Sequence, residues 1–231
     1  MRKIVFYSII ALSAMVVSCS KTTQETEEKL EISKPASPEI SAIRTANELA
    51  KYGYEVESAT ALIEAANILV GIPTQSVEEA ANIEGEETVK KESDKSLNPA
   101  SILASAKEFA SEDEILLAMI ARVEKKIAAK AEGTRGAMGG PKYDYSTVRA
   151  HSYTTYTQKF WADELAEIAV SGDGDTDLDL YVYDQNGNLI VSDTDYSDDC
   201  YVRFMPRWTG VFRIKIVNRG NVYNNFALVT N

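Results

Sequence analysis

From residue 38 to residue 127 apolar side chains recur every three or four positions, the spacing of one face of an α-helix. Ile40, Ile43, Ala46, Leu49 and Ala50 form the first stripe. It opens on Ser37-Pro38, a capping serine followed by proline at the first helical position, where its missing N–H is harmless. Gly53 is expected to close this helix. Ala59, Leu62, Ile63, Ala66, Leu69 and Val70 make a second stripe, stopped by Gly71 and Pro73. Asn98-Pro99 repeats the cap-plus-proline start before Ile102, Leu103, Ala106 and Phe109. Ser111 with Glu114 reads as a capping box for the fourth stripe, Ile115, Leu116, Met119, Ile120, Val123 and Ile127. Residues 74–97 are acidic and weakly patterned, a loop with at most a short helix. The four stripes predict a small helical bundle over 37–132.

A glycine-rich linker, 133–142, separates this pattern from one with a period of two. Strands are expected at 153–160, 165–171, 177–184, 189–192, 200–205, 211–217 and 225–230. In the third, Leu178, Leu180 and Val182 alternate with Asp179, Tyr181 and Tyr183. In the sixth, Phe212, Ile214 and Ile216 alternate with Arg213 and Lys215. Asn186-Gly187 is a strong hairpin turn. Outside 143–231 the only aromatic residues are Phe6, Tyr7, Tyr52, Tyr54 and Phe109. The fold class expected is α+β and multi-domain: an N-terminal helical bundle, then a seven- to eight-strand antiparallel β-sandwich of jelly-roll-like form over 143–231.

Charge and rare residues narrow the function. A net charge of −11 argues against a nucleic-acid partner, which needs a basic face. Two distant cysteines exclude a disulfide scaffold, and a single histidine excludes a multi-histidine metal site. The chain opens with Met1-Arg2-Lys3 and an uncharged apolar run, 4–17. As a helix that run spans about 21 Å, short of a hydrocarbon core of about 30 Å, so it fits a signal peptide rather than a membrane span. It ends Val16-Val17-Ser18-Cys19, which resembles the lipobox of bacterial lipoproteins. The resemblance implies a signal peptide over 1–18, cleavage before Cys19, and diacylglycerol and palmitate-type acylation of Cys19. Two or more acyl chains hold stably where one does not. Losing Arg2 and Lys3 with the leader takes the net charge from −11 to −13, so lipid and not charge would hold the protein to its membrane. Ser20 after the cysteine implies, by the same resemblance, an outer-membrane destination in the cell envelope. Residues 19–36 are polar and form a flexible tether.

The stretch VSGDGDTDLDLYVYDQNGNLIVSDTD, followed by FMPRWTGVFRIKIVN, resembles the bacterial pre-peptidase C-terminal domain over about residues 150–230. That family is a non-catalytic β-sandwich attached to secreted enzymes, related to collagen-binding modules. The resemblance implies a binding module and no enzyme; nothing upstream looks like a peptidase. The run Asp173-Gly-Asp175-Thr-Asp177 is a candidate Ca²⁺ site, with Asp193 or Asp195 as further ligands, because alternating carboxylates can converge on one hard cation. The competing reading is a solvated acidic turn with Asp179 paired to Arg203 or Arg213. His151 follows no nucleophile motif, and acidic neighbours disfavour a thiolate at Cys200. Trp208 is read as a packing residue, with a glycan or peptide contact shared with Tyr201 and Tyr223 as the alternative. The sequence thus predicts a lipid-anchored envelope protein whose sandwich binds a protein or polysaccharide. The alternative is an accessory, substrate-docking subunit of an envelope or secreted hydrolase.

Overall fold

The computed structural model describes residues 35–72, 78–79, 95–133 and 142–231, all within one compact unit, Pro35–Asn231. Cys19 and the leader lie outside the described residues.

Four helices come first: α1 (Pro38–Glu55), α2 (Ala59–Gly71), α3 (Pro99–Ala110) and α4 (Glu114–Gly133). Ser37 caps α1 by accepting from the Ile40 N–H, and Asn98 caps α3 by accepting from the Ala100 N–H at 2.9 Å. Two local expectations are corrected. Gly53 does not end α1 but lies inside it, where a Cβ would come within 2.6 Å of Leu62 Cδ2 on α2. The missing side chain is what lets the two helices approach. The cap of α4 is Asp113, whose Oδ1 accepts from the Ile115 and Leu116 N–H groups at 2.9 and 3.1 Å. Ser111 instead ends α3 with φ at 51°.

The strands are β1 (Glu78–Glu79), β2 (Lys142–Val148), β3 (Tyr153–Phe160), β4 (Ala166–Ser171), β5 (Leu178–Tyr183), β6 (Leu189–Asp193), β7 (Asp199–Phe204), β8 (Gly210–Asn218) and β9 (Asn224–Thr230). They form two antiparallel sheets, ordered β1-β3-β8-β5-β6 and β2-β9-β4-β7. The pairing is nested: β2 with β9, β3 with β8, β4 with β7, β5 with β6. This is a long hairpin, turned at Asn186-Gly187, wound into a jelly roll. Gly187 has φ at 85°, as that turn requires. Asp184 braces the turn, accepting from the Asn186 and Asn188 N–H groups at 2.8 Å each. β1 falls in the segment expected to be a loop; it adds two residues to the free edge of β3.

Alternation sorts each strand of the four-stranded sheet between two cores. Ile168, Val170, Val202, Phe204, Phe226 and Leu228 face the other sheet and meet Phe212, Ile214 and Ile216 there. Tyr143, Ala169, Ala227 and Val229 face the helices and share a core with Ile40, Ile43 and Leu62. The helical segment and the sandwich therefore pack directly, with α1 lying on β4 and β9. Small Ala169 and Ala227 allow that close approach.

A buried acid ties the layers. Glu167 on β4 accepts from the Ser37 N–H at 3.0 Å, from Arg203 Nη2 at 3.0 Å, and from the Tyr201 hydroxyl. Three donors on one carboxylate satisfy a charge that would otherwise be costly to bury. Arg44 of α1 lies 5.0 Å over the Tyr201 ring. The helices thus cover one outer face of the sandwich, and the outer face of the five-stranded sheet carries mostly half-buried and exposed side chains, with Thr155 and Asp179 buried among them.

Candidate functional site

The β-strands run between two ends of different chemistry. At one end lie the loops 172–177, 194–198 and 219–223, which hold the acidic run. Asp173 is buried and accepts from the Asn225 N–H at 3.0 Å. Asp175 is exposed and Asp177 is half-buried. The hub is Asp198, whose carboxylate accepts from Lys51 Nζ at 3.2 Å, from Asn224 Nδ2 at 3.3 Å, and from the Gly174 N–H. Lys51 also reaches Asp199 at 2.6 Å. Gly172 lets this cluster close: a Cβ there would sit 2.4 Å from Asp198 Oδ2 and 2.7 Å from Asn224 Oδ1. Nearby, Asp179 pairs with Arg219 at 2.6 Å and accepts from the Tyr181 hydroxyl at 2.9 Å. Its partner is neither Arg203 nor Arg213, which point to Glu167 and Tyr183 respectively.

The Ca²⁺ expectation meets this geometry poorly. Among the described residues no three acidic, histidine or cysteine side chains are gathered to hold a metal. Asp173, Asp175 and Asp177 are spread along the loop, and the nearby carboxylates are already turned toward Lys51, Arg219 and backbone N–H groups. The described residues thus show no ready set of the 6–8 oxygens that Ca²⁺ takes, while Asp177 Oδ1 and Asn224 Oδ1 are buried at this end without a hydrogen-bond partner. Burial, and then the charge of Asp179, raise the Asp177 carboxyl above its ordinary range, against the pull of Arg219.

Among the described residues no nucleophile–base pair forms from the remaining reactive groups. His151 is exposed, with φ at 49°, and its Nε2 lies 2.9 Å from Asn221 Oδ1. Cys200 is buried in the sandwich, and its thiol donates to the Leu178 carbonyl at 3.1 Å. Burial, and then Asp193, push that thiol far above the range in which a thiolate forms.

The opposite end carries two tryptophans. The Ala162 N–H donates to Thr209 Oγ1 at 3.0 Å and the Asp163 N–H to the Pro206 carbonyl at 2.8 Å, so two loops are held side by side. Trp208 stacks on core Phe212 at 5.7 Å and stays 38% exposed, which fits the packing reading; a contact shared with Tyr201 and Tyr223 does not form, because Tyr201 packs toward the helices under Arg44 and Tyr223 lies in the loop at the acidic end. Trp161 is 58% exposed.

The face between these ends was not singled out by sequence. On the outside of the five-stranded sheet the register sets Thr155, Lys215 and Tyr181 in one row and Thr157, Arg213 and Tyr183 in the next. Lys159 and Val211 follow, opposite each other. Tyr181 and Tyr183 stack at 6.2 Å. Arg213 lies over the Tyr183 ring at 5.3 Å, Lys215 over Tyr153 at 4.1 Å, and Lys159 over Trp161 at 4.9 Å. Each such contact contributes about 0.5–1 kcal/mol at an exposed site and fixes where the cation stands. The signal was present in the sequence as the outward members of two alternating strands. What joined them was the pairing of β8 with both β3 and β5.

No protein-family model matches the chain, and no curated protein does. Several solved structures resemble its sandwich. One is the pre-peptidase C-terminal domain of a collagenase from Bacillus anthracis, at 11% identity and a TM-score of 0.33, covering 41% of this chain and 91% of that one. Another is the periplasmic inhibitor of g-type lysozyme from Aeromonas hydrophila, at 14% identity and 0.33, covering 42% and 91%. A third is a carbohydrate-binding module, CBM36, in complex with calcium and xylotriose, at 13% identity and 0.27, covering 42% and 92%. At such identities and scores the function must be argued from the chain's own residues.

Proposed function

We propose that this chain is a non-catalytic binding protein, acylated at Cys19 and held in the bacterial outer membrane, whose sandwich takes an extracellular polymer on the outer face of the five-stranded sheet. The observation that carries the binding half is that face itself. It is partly exposed and lined by Tyr153, Tyr181, Tyr183 and Trp161, rings that supply rigid contact area at low entropic cost. A sheet face with repeated rings suits a long repetitive ligand, which gains from many weak contacts in series. The described helices pack on the opposite sheet and leave this face uncovered among the described residues. The anchoring half is supported by the leader alone: a basic start, an apolar run too short to span, and Cys19 after small residues.

Two measurements test the two halves. Mass spectrometry of the mature N-terminus should find acyl chains on Cys19, and Cys19→Ser should release the protein from the membrane fraction. Retention on immobilised envelope and extracellular polysaccharides should fall at least tenfold in Tyr181→Ala/Tyr183→Ala. A soluble, unmodified native protein removes the anchor. Equal retention of the variant removes this face.

A further inference from the structure

We infer that the polymer taken by this face is a polyanionic polysaccharide, one whose sugars bear carboxylate or sulfate groups; this rests on the proposed binding role of the same face. The chain is acidic, with a net charge of −11, yet the face collects Lys159, Arg213 and Lys215. Other cations of the fold are spent on internal carboxylates: Lys51 on Asp198 and Asp199, Arg203 on Glu167, Arg219 on Asp179. Lys159, Arg213 and Lys215 have no carboxylate within ion-pair distance among the described residues. Each lies over an aromatic ring instead. A ring steadies a cation without using its N–H donors, so those donors remain available to an anion, already positioned.

The spacing adds to this. Arg213 and Lys215 are alternate residues of one strand, so about 7 Å separates them along the sheet. Lys159 lies on the neighbouring strand beside Val211, two residues before Arg213. The three charges therefore follow the middle of the sheet, with Tyr181 and Tyr183 alongside on β5. A ligand that meets rings and cations in alternation must offer flat apolar faces and repeated negative groups. An acidic polysaccharide does both.

The test titrates the detergent-solubilised full chain with polygalacturonate, dextran sulfate and neutral dextran. Binding to either polyanion should exceed that to dextran by at least tenfold. Raising salt from about 50 to 200 mM should weaken it about twenty- to fortyfold, the response expected for three released counterions. Arg213→Gln/Lys215→Gln should abolish the preference for polyanions while the protein still folds cooperatively and melts only a few degrees lower, since both side chains lie on the outer face and give up only their ring contacts. Binding to the carboxylated or to the sulfated polymer alone supports the inference and names the anion. Equal, salt-insensitive binding of dextran and polyanions overturns the inference and leaves the polymer-binding role standing. Binding to none of the three overturns both. Competition by polyglutamate as strong as by polygalacturonate overturns the saccharide half.

Discussion

Gly53→Ala is a sharp probe of how the helices are assembled. In an ordinary helix interior, replacing Gly by Ala stabilises by about 1 kcal/mol, because alanine loses less backbone entropy. Here the new Cβ would lie 2.6 Å and 2.9 Å from Leu62 Cδ2 and Cγ, and 3.2 Å from the Leu62 backbone nitrogen. Leu62 is fully buried, so its side chain has no free space to enter, and the backbone contact requires α2 to move. Overpacking of this kind costs about 1–3 kcal/mol, and a clash below 3 Å backed by main chain belongs at the upper end. The helix-propensity gain offsets part of it, leaving a net loss of about 1–2 kcal/mol. For a chain of this size each kcal/mol moves the melting temperature by about 2–4 °C, so a fall of about 2–8 °C is expected. Gly71→Ala is the matched control: nothing among the described residues lies within 4 Å of its Cβ position, and it should stabilise by about 0.5 kcal/mol. Urea unfolding followed by far-UV circular dichroism measures both. If Gly53→Ala were as stable as Gly71→Ala, the close α1–α2 approach would be wrong.

Three further outcomes follow from the acidic end. Lys51→Met should destabilise by about 1–3 kcal/mol, because Asp198, whose side chain is 8% exposed, would keep its charge and lose its cation; chemical denaturation measures this, and an unchanged midpoint would refute the role given to Lys51. Asp177→Asn should raise the melting temperature at pH 7. Burial and Asp179 lift the folded-state pKa of Asp177 above the unfolded value, so its ionisation opposes folding; the gain should shrink as pH falls through the folded pKa and vanish below about 3.9, the unfolded value. Melting in millimolar Ca²⁺ and in EDTA should agree, since no acidic trio converges among the described residues. A rise with Ca²⁺ would show that Asp175 and Asp177 swing onto an ion.

Much of the sandwich could be read from the chain, and the reason is alternation. The seven expected strands all occur, with ends displaced by a residue or two at most: six bury one face in the sandwich core, which period-two patterning records directly, and β6, which has no buried residue, is marked by the Asn186-Gly187 turn before it. β2 escaped for the same reason inverted. Its aromatic residues, Tyr143 and Tyr145, face the helices, while Asp144 faces the sandwich and accepts from the Tyr156 hydroxyl at 2.9 Å. Nothing local marks a polar side chain as core-facing when its partner is twelve residues away. Gly53 was misread because a glycine that permits helix packing looks the same as one that ends a helix. Of the candidate site residues, the acidic loop was located but its neutralisation was hidden, since Lys51 arrives from a helix far upstream. The cation–aromatic face was half visible: Arg213, Lys215, Tyr181 and Tyr183 were known to point outward. That they share one surface depends on strand order, which a single sequence does not encode locally.

The central claim, that ligand sits on the outer face of the five-stranded sheet, is tested most directly by hydroxyl-radical footprinting of the full chain with and without a retained polysaccharide. Tyr153, Tyr181, Tyr183 and Trp161 should become protected, while Tyr196, 98% exposed beside the acidic loops, should react as before. Protection at Tyr196, with the sheet-face tyrosines unchanged, would place the ligand at the acidic end and contradict the account.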